Sequence, residues 1–330
     1  MIGPRVAKLS DLARDAGVAA VVVSNPATVR WVGVEQPEGA LVVVGGGEGR
    51  LVARPVSEET AGPDPLGRAL AEIGIAEGEP LAGELGPNSR WLDLTREISE
   101  ARAIKEPDEI VRIAAAAQLV AVGHRALREA CRPGISEFEL WEVAKAEIAA
   151  GAGEPADAVV DLMAGERTAL IGEPPGESRV RDGDAILFDL APRLHGYWAD
   201  SCATFVCGRP SPEIARRHRA IADALEHGLE RARPGVTAGA VDAAIRAKLA
   251  ARDLDCPHHT GHGVGTAAQE PPWLVQGNET VLEEGMVLAL EPGAYGGGFG
   301  VRLEHLAVIE PDGARPLTEH ELSLTQEGGA

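Results

Sequence analysis

The sequence predicts a mixed α+β protein in two parts, and three observations carry that reading. The 330 residues suit about two domains, at roughly 100–200 residues each. Over the first hundred residues, short apolar strands alternate with amphipathic helices, the pattern of a small α/β domain. Beyond a boundary near 102–107, long helices are joined and followed by strand pairs. The expected division is 1–104 and 105–330. With 45% hydrophobic but only 3% aromatic residues, the core must be built from Val, Leu, Ala and Ile.

The spacing predicts a helix over residues 6–16 and a buried strand at Ala19–Val23, ended by Asn25-Pro26. Leu41–Val44 and Arg50–Ala53 flank a glycine-rich hairpin turn, Gly45–Gly49. That run lacks a following Lys-Ser/Thr and so does not make a phosphate loop. Leu66–Ile73 forms another helix. Pro107, with Asp108 and Glu109 in its first turn, opens a long helix whose apolar stripe is Ile110, Ile113, Ala117 and Val120. Ser136–Glu139 reads as a capping box opening a helix through Ala150. Helices follow at Pro212–Arg233 and Ala238–Arg252. No repeat of 20–50 residues is present, which excludes a solenoid. The tail Gly328–Ala330 should fray.

The formal net charge of −20 opposes binding to nucleic acid or to an anionic membrane. The four cysteines, Cys131, Cys202, Cys207 and Cys256, form no C-x-x-C pair and read as small buried apolar residues. No signal-peptide layout follows Met1, and no apolar run approaches the roughly 20 residues of a bilayer span. A cytoplasmic protein is expected.

The chemistry starts at Ala185–Ala191, an apolar strand with Asp189 inside it. A turn at Pro192–Gly196 and a strand at Tyr197–Cys207, which carries Asp200, complete a hairpin. Folding it between Leu194 and His195 sets Asp189 opposite Asp200. Downstream, the apolar strand Gly285–Glu291 turns through Pro292–Gly300 and returns as Val301–Ile309. Folding between Gly297 and Gly298 sets Glu291 opposite Glu304. Directly opposed residues have Cβ atoms about 4.5–5.5 Å apart. Four buried carboxylates at that spacing require metal cations unless each acid sits at a wet strand edge or pairs with arginine. Two divalent ions would balance them. Oxygen-rich coordination suits manganese, and a histidine ligand also admits cobalt, iron or zinc.

The run His258-His259-Thr260-Gly261-His262-Gly263 is the densest histidine cluster, and the glycines around His262 imply a backbone held close to something. The ordered set Asp189, Asp200, Gly-His262-Gly, Glu291-Pro-Gly and Arg302-x-Glu304 resembles the Xaa-Pro peptidases of the creatinase/methionine aminopeptidase superfamily. Residues 5–33 resemble the start of that family's N-terminal domain, and Ala103–Ile110 its entry into the catalytic domain. The resemblance implies a pita-bread catalytic domain preceded by a smaller creatinase-like α/β domain. It also implies two metals bridged by Asp200 and Glu304, with Asp189, His262 and Glu291 completing the set. A metal-bound hydroxide would attack the amide of a short peptide, and Glu291 would relay its proton. A homodimer is implied as well.

The pattern departs from the family around the metals. Two accompanying histidines are replaced, one by Ile171 or Gly172 and one by Gln269. The usual Thr-Arg-Thr after the second aspartate is Cys202-Ala203-Thr204. Gln269 retains a hydrogen-bond donor but cannot shuttle a proton. His258 is left as a catalytic donor, and Arg302 could bind a substrate carboxylate or orient a ligand. Strand parity turns His305 away from Glu304, which makes it structural. These departures keep two alternatives open: an enzyme of this fold acting at a C–N or C–O bond of a small metabolite, and a non-catalytic binding protein. Neither a dinucleotide fingerprint nor a Gly-x-Ser-x-Gly elbow is present.

Overall fold

Pro4 opens the first helix, α1 (Pro4–Asp15), two residues earlier than its apolar spacing predicts. Proline at the first helical position sacrifices no hydrogen bond, so the start moves to it. The computed structural model describes residues 3–34, 40–45, 51–55, 65–76, 78–84 and 91–326. The expected turn residues Gly46–Gly49 and the terminal Gly328–Ala330 lie outside them. The chain divides into two compact units, Met1–Arg102 and Ala103–Ala330.

In the first unit, β1 (Ala20–Val23) is buried throughout. Asn25-Pro26 begins a helix that was not expected, α2 (Pro26–Trp31), with Asn25 Oδ1 accepting from Ala27 N at 2.9 Å. The capping side chain turns an apparent strand terminator into a helix start. Then come β2 (Ala40–Gly45), β3 (Leu51–Pro55), α3 (Pro65–Glu72), β4 (Leu81–Gly83), β5 (Leu92–Asp93) and α4 (Thr95–Ala103). The sheet order is β3-β2-β1-β4-β5, with β1 antiparallel to β2 and parallel to β4. Leu9, Val21, Val29, Trp31 and Ile98 fill the core on one face.

The second unit repeats one design twice. The first half holds α5 (Pro107–Ala130), α6 (Glu137–Ala152), β6 (Asp157–Ala164), β7 (Ala185–Leu194), β8 (Tyr197–Trp198) and β9 (Cys202–Val206). The second holds α7 (Pro212–Arg231), α8 (Ala238–Ala250), β10 (Gly261–Gly263), β11 (Glu270–Leu274), β12 (Val287–Leu290), β13 (Gly293–Gly296), β14 (Phe299–Arg302), β15 (His305–Glu310) and β16 (Gly313–Pro316). The expected capping box forms, with Ser136 and Glu139 exchanging bonds of 2.8 and 3.1 Å, and a further cap joins it where Glu106 N donates to Glu109 Oε2 at 3.0 Å.

The length and composition of α5 would allow it to cross a membrane, contrary to the expectation that no such run exists, but half of that stretch is buried. Its apolar stripe through Ile113, Ala117, Val120 and Leu127 packs with Phe188 and Leu190 of β7. The apolar excess is therefore that of a core helix.

In the first half, β6, β8 and β9 all pair with β7. The second sheet runs β11-β10-β12-β15-β16, antiparallel throughout. Strand β12 is apolar at every position because both its faces are covered. Val287 and Ala289 join the core of α5 and α6, while Leu288 and Leu290 join that of α7 and α8.

The two hairpins meet their expected registers differently. In the second, Leu290 pairs with His305 and Gly293 with Arg302, which brackets Glu291 opposite Glu304 as predicted. The strands break between those pairs, so both acids sit at interruptions rather than inside continuous strands. In the first, Leu194 pairs with Tyr197, and Asp189 lies opposite Cys202, not Asp200. The two-residue turn is His195-Gly196, with φ of 48° and 86°. Positive φ at both central residues is the turn that matches strand twist. It moves the fold point by one residue and the register by two. Asp200 falls in the gap between β8 and β9.

Candidate metal centre

His262 is the centre of the site. It sits on β10, hemmed between β11 and β12, and a Cβ at Gly261 or Gly263 would lie 2.1 Å from Ala289 O or 2.4 Å from Pro271 O. The glycines that flagged this histidine are therefore required by the neighbouring strands. Its Nδ1 lies 3.0 Å from Gly263 O, which can only accept. Nδ1 must donate, and burial holds the ring neutral. Nε2 then presents a lone pair, yet it faces Asp200 Oδ2 and Glu291 Oε1, each at 3.5 Å. Lone pairs facing one another in a buried pocket are unfavourable until a cation stands between them.

Asp200, His262 and Glu304 converge closely enough to hold one metal ion, and all three are buried. A Glu304 oxygen, Oε1, is buried without a hydrogen-bond partner among the described residues. Burial and the neighbouring Asp200 and Asp189 carboxylates push the Glu304 carboxyl well above its ordinary range. Burial, then Asp189 and Glu291, do the same to Asp200. An orphaned carboxylate oxygen, a histidine lone pair and two acids resisting ionisation together fit a divalent cation.

A second group brings His259 and His262 to Glu291, with His259 Nε2 2.9 Å from Glu291 Oε1. Burial alone would raise the Glu291 carboxyl. The His259 contact and the Arg302 guanidinium outweigh it and hold the group at about 2. The sequence points to His258 and not to its neighbour, and only the structure separates the two: His259 is half-buried against Trp273, with its ring 5.5 Å from that of His262.

Asp189 is placed otherwise. Its carboxylate hydrogen-bonds Arg302 Nη2, and among the described residues it enters neither convergent group. Burial raises it to about 7 despite Arg302, with Asp161 and Glu291 adding to the rise. Arg302 is buried with its guanidinium against Asp189, Asp161 and the Tyr295 hydroxyl. Its guanidinium is thus engaged by carboxylates of the chain itself. Thr204, retained from the altered motif, exchanges bonds with the Arg302 backbone at 3.0 Å, and Glu304 N donates to Cys202 O at 2.8 Å. These links tie the first hairpin to the second.

The remaining expected residues have definite places. His258 uses both ring nitrogens, at 2.6 Å from His259 O and 3.0 Å from the Tyr295 hydroxyl. Gln269 is exposed at the residue before β11. His305 is structural in its contacts, with Nδ1 3.0 Å from Thr318 Oγ1 and its ring against His320. His320 in turn stacks on His124, and these two reach Cys202 O and Ser201 Oγ behind Asp200. The four cysteines are free and buried. Lys105 and Glu270 form a buried ion pair at 2.8 Å, and Tyr295 and Asp161 join the site; neither the pair nor these two residues was identified from sequence.

Comparison with known proteins places the chain in a metallopeptidase family. The profile of metallopeptidase family M24 matches residues 111–311. A probable dipeptidase PepE of Mycobacterium tuberculosis is 32% identical over 79% of this chain and 74% of its own. A Xaa-Pro dipeptidase of Lactobacillus helveticus is 29% identical over 83% and 76%. The prolidase structure from Pyrococcus furiosus superposes with a TM-score of 0.82 at 26% identity, covering 95% of this chain and 100% of that one. The Pyrococcus horikoshii prolidase structure gives 0.86 at 24%, covering 98% and 100%. The fold is the pita-bread fold.

Proposed function

The chain belongs to metallopeptidase family M24, and on that premise we propose that it hydrolyses the Xaa-Pro bond of short peptides with two divalent metal ions. It is a metallopeptidase-type hydrolase, and the metabolite and scaffold alternatives are not favoured. The observation that carries the reading is the convergence of Asp200, His262 and Glu304 around the unpartnered Glu304 oxygen.

In this proposal Asp189, Asp200, His262, Glu291 and Glu304 would hold the two ions. The ions, when bound, supply Lewis acidity for ionising water and polarising the scissile carbonyl. Arg302 fixes the Asp189 carboxylate and so sets which oxygen is free to ligate. Glu291, ionised and in contact with His259, is placed to hold the proton released from water and pass it to the leaving amine. His258, the expected catalytic donor, has Nδ1 on the His259 carbonyl and Nε2 on the Tyr295 hydroxyl, so it reaches a substrate only by giving up the Tyr295 bond. Gln269, exposed beside the site, contributes a neutral donor to the bound peptide.

Manganese is proposed as the native metal because four of the five ligands are carboxylates. The unit Met1–Arg102 is proposed as the creatinase-like domain. A cytoplasmic homodimer without nucleic-acid or membrane partners completes the reading; the family resemblance supports the dimer, and the net charge of −20 supports the absence of polyanionic partners.

The test is an assay of manganese-loaded protein on Xaa-Pro dipeptides, with chelator-treated protein as control. Cleavage that appears with metal and disappears with chelator is the expected result. Metal-loaded protein that cleaves no short peptide would overturn the reading.

A further inference from the structure

Asp161 is a charged residue that the proposed metal set leaves unused. It stands on β6 directly opposite Asp189 on β7. Opposed residues leave the same face of a sheet with Cβ atoms about 5 Å apart. Met163 and Leu187 share that face with Tyr295, while Leu162 and Phe188 point back into the helical core. Asp161 is therefore aimed into the site.

Its nearest cation is already engaged. Arg302 Nη2 hydrogen-bonds Asp189 and lies 3.6 Å from Asp161 Oδ2, beyond direct hydrogen-bond range. One guanidinium thus faces two carboxylates and is committed to one of them. The Asp161 side chain is 28% exposed, against 7% for Asp200 and 8% for Glu291. Asp189 is 19% exposed, so Asp161 is the more open of the two facing carboxylates.

Position 172 explains why Asp161 is open. A Cβ there would lie 3.5 Å from Asp161 Oδ2, so a side chain at that position would rest on the carboxylate. This chain has Gly172, with φ of 74°. This glycine, one of the two positions where the resemblance implies a histidine, uncovers an acid that the sequence reading left out.

Charge decides what the opening accepts. Two divalent cations balance Asp189, Asp200, Glu291 and Glu304, which leaves Arg302 as a surplus positive charge that repels an ammonium group. Asp161 cancels that surplus and places its negative end at the entrance. An ammonium offers three donors, and its hydrogen bonds to a carboxylate are of the strong, charge-assisted kind.

We infer that Asp161 is a specificity-determining residue that binds a primary ammonium of the substrate in the space left by Gly172. The inference rests on the proposed peptidase reading and adds a feature of its substrate. The ammonium can come from a peptide's N-terminus or from a lysine-type side chain, and the test separates the two.

The experiment is calorimetry on manganese-loaded protein with three non-cleavable ketomethylene analogues: Ala-Pro, N-acetyl-Ala-Pro and N-acetyl-Lys-Pro. Wild type should bind the free-amine analogue, the lysine analogue or both at least about tenfold tighter than N-acetyl-Ala-Pro, roughly 1.4 kcal/mol. Which of the two gains identifies the source. Asp161→Asn should remove that preference, leave N-acetyl-Ala-Pro binding within about twofold and retain the full metal content. Three results would each overturn the inference: no preference or no binding in wild type, a preference that survives in Asp161→Asn, or loss of a metal from that variant. If Asp161→Asn does not fold, Asp161→Thr replaces it, and the wild-type comparison still decides. Failure of the peptidase reading is read separately, as absent turnover of any peptide by the metal-loaded wild type.

Discussion

The two sides of the site neutralise their acids by different means. On one side, Asp200 and Glu304 meet a neutral His262, and no protein cation reaches the unpartnered Glu304 oxygen among the described residues. On the other, Asp189 and Asp161 share the buried Arg302 guanidinium. The first arrangement is incomplete without an added cation. The second has one guanidinium for two carboxylates and is already half balanced. The contrast teaches that metal is the sole counter-charge on one side and shares that task with arginine on the other.

The sharpest way to break the comparison is His262→Ala. Removing the only nitrogen shared by both convergent groups should empty the metal-dependent side. Metal content should fall, and activity should drop by more than the roughly 10–100-fold typical of outer partners. Retained metal with near-normal turnover would show that His262 is not the centre.

Arg302→Met attacks the other side. It leaves two acids facing each other without a counter-ion, and breaking a buried pair costs about 3–5 kcal/mol. Chemical denaturation of metal-free protein should show that loss. Added manganese should recover part of it by supplying charge to Asp189. An unchanged denaturation midpoint would contradict the arginine's assigned role.

Behind Asp200, the His124–His320 stack supports the metal side with neutral rings. Burial, with His305 adding to it, lowers His320 to about 3. The folded value lies below the ordinary 6.5, so the folded state binds fewer protons than the unfolded one in this range. The stability is fully present above about 6.5 and is lost as pH falls towards 3, by up to about 1.4 kcal/mol per pH unit. His320→Gln should flatten the fall between pH 6 and 4. An unchanged slope would remove His320 from this account.

The smallest effect concerns the exposed Gln269. Restoring a charged donor with Gln269→His should raise peptide turnover, by roughly tenfold or less, since buried donors of this kind are worth about a hundredfold or more. No rise in kcat would show that Gln269 does not limit the reaction.

Much of this was legible in the sequence, for identifiable reasons. The Glu291–Glu304 register could be read because the turn is centred on glycines: Gly297 and Gly298 have φ of 67° and 85°. The Asp189–Asp200 register could not, because His195 adopts φ of 48°, a conformation that a histidine does not advertise. His262 was legible through its flanking glycines, which the adjacent strands require. Asp161 was not, because it sits in a strand of mixed exposure, and only the pairing with β7 brings it to Asp189. The partnership of Arg302 with Asp189 spans 113 residues and emerges only when Thr204 and Cys202 join the two hairpins.

The most direct test of the two-metal account is anomalous diffraction from crystals loaded with manganese. The account predicts two peaks about 3.5–4 Å apart, both contacted by Asp200 and Glu304, one also by His262 and the other by Asp189. A single peak beside His262, with Asp189 still bound only to Arg302, would contradict it.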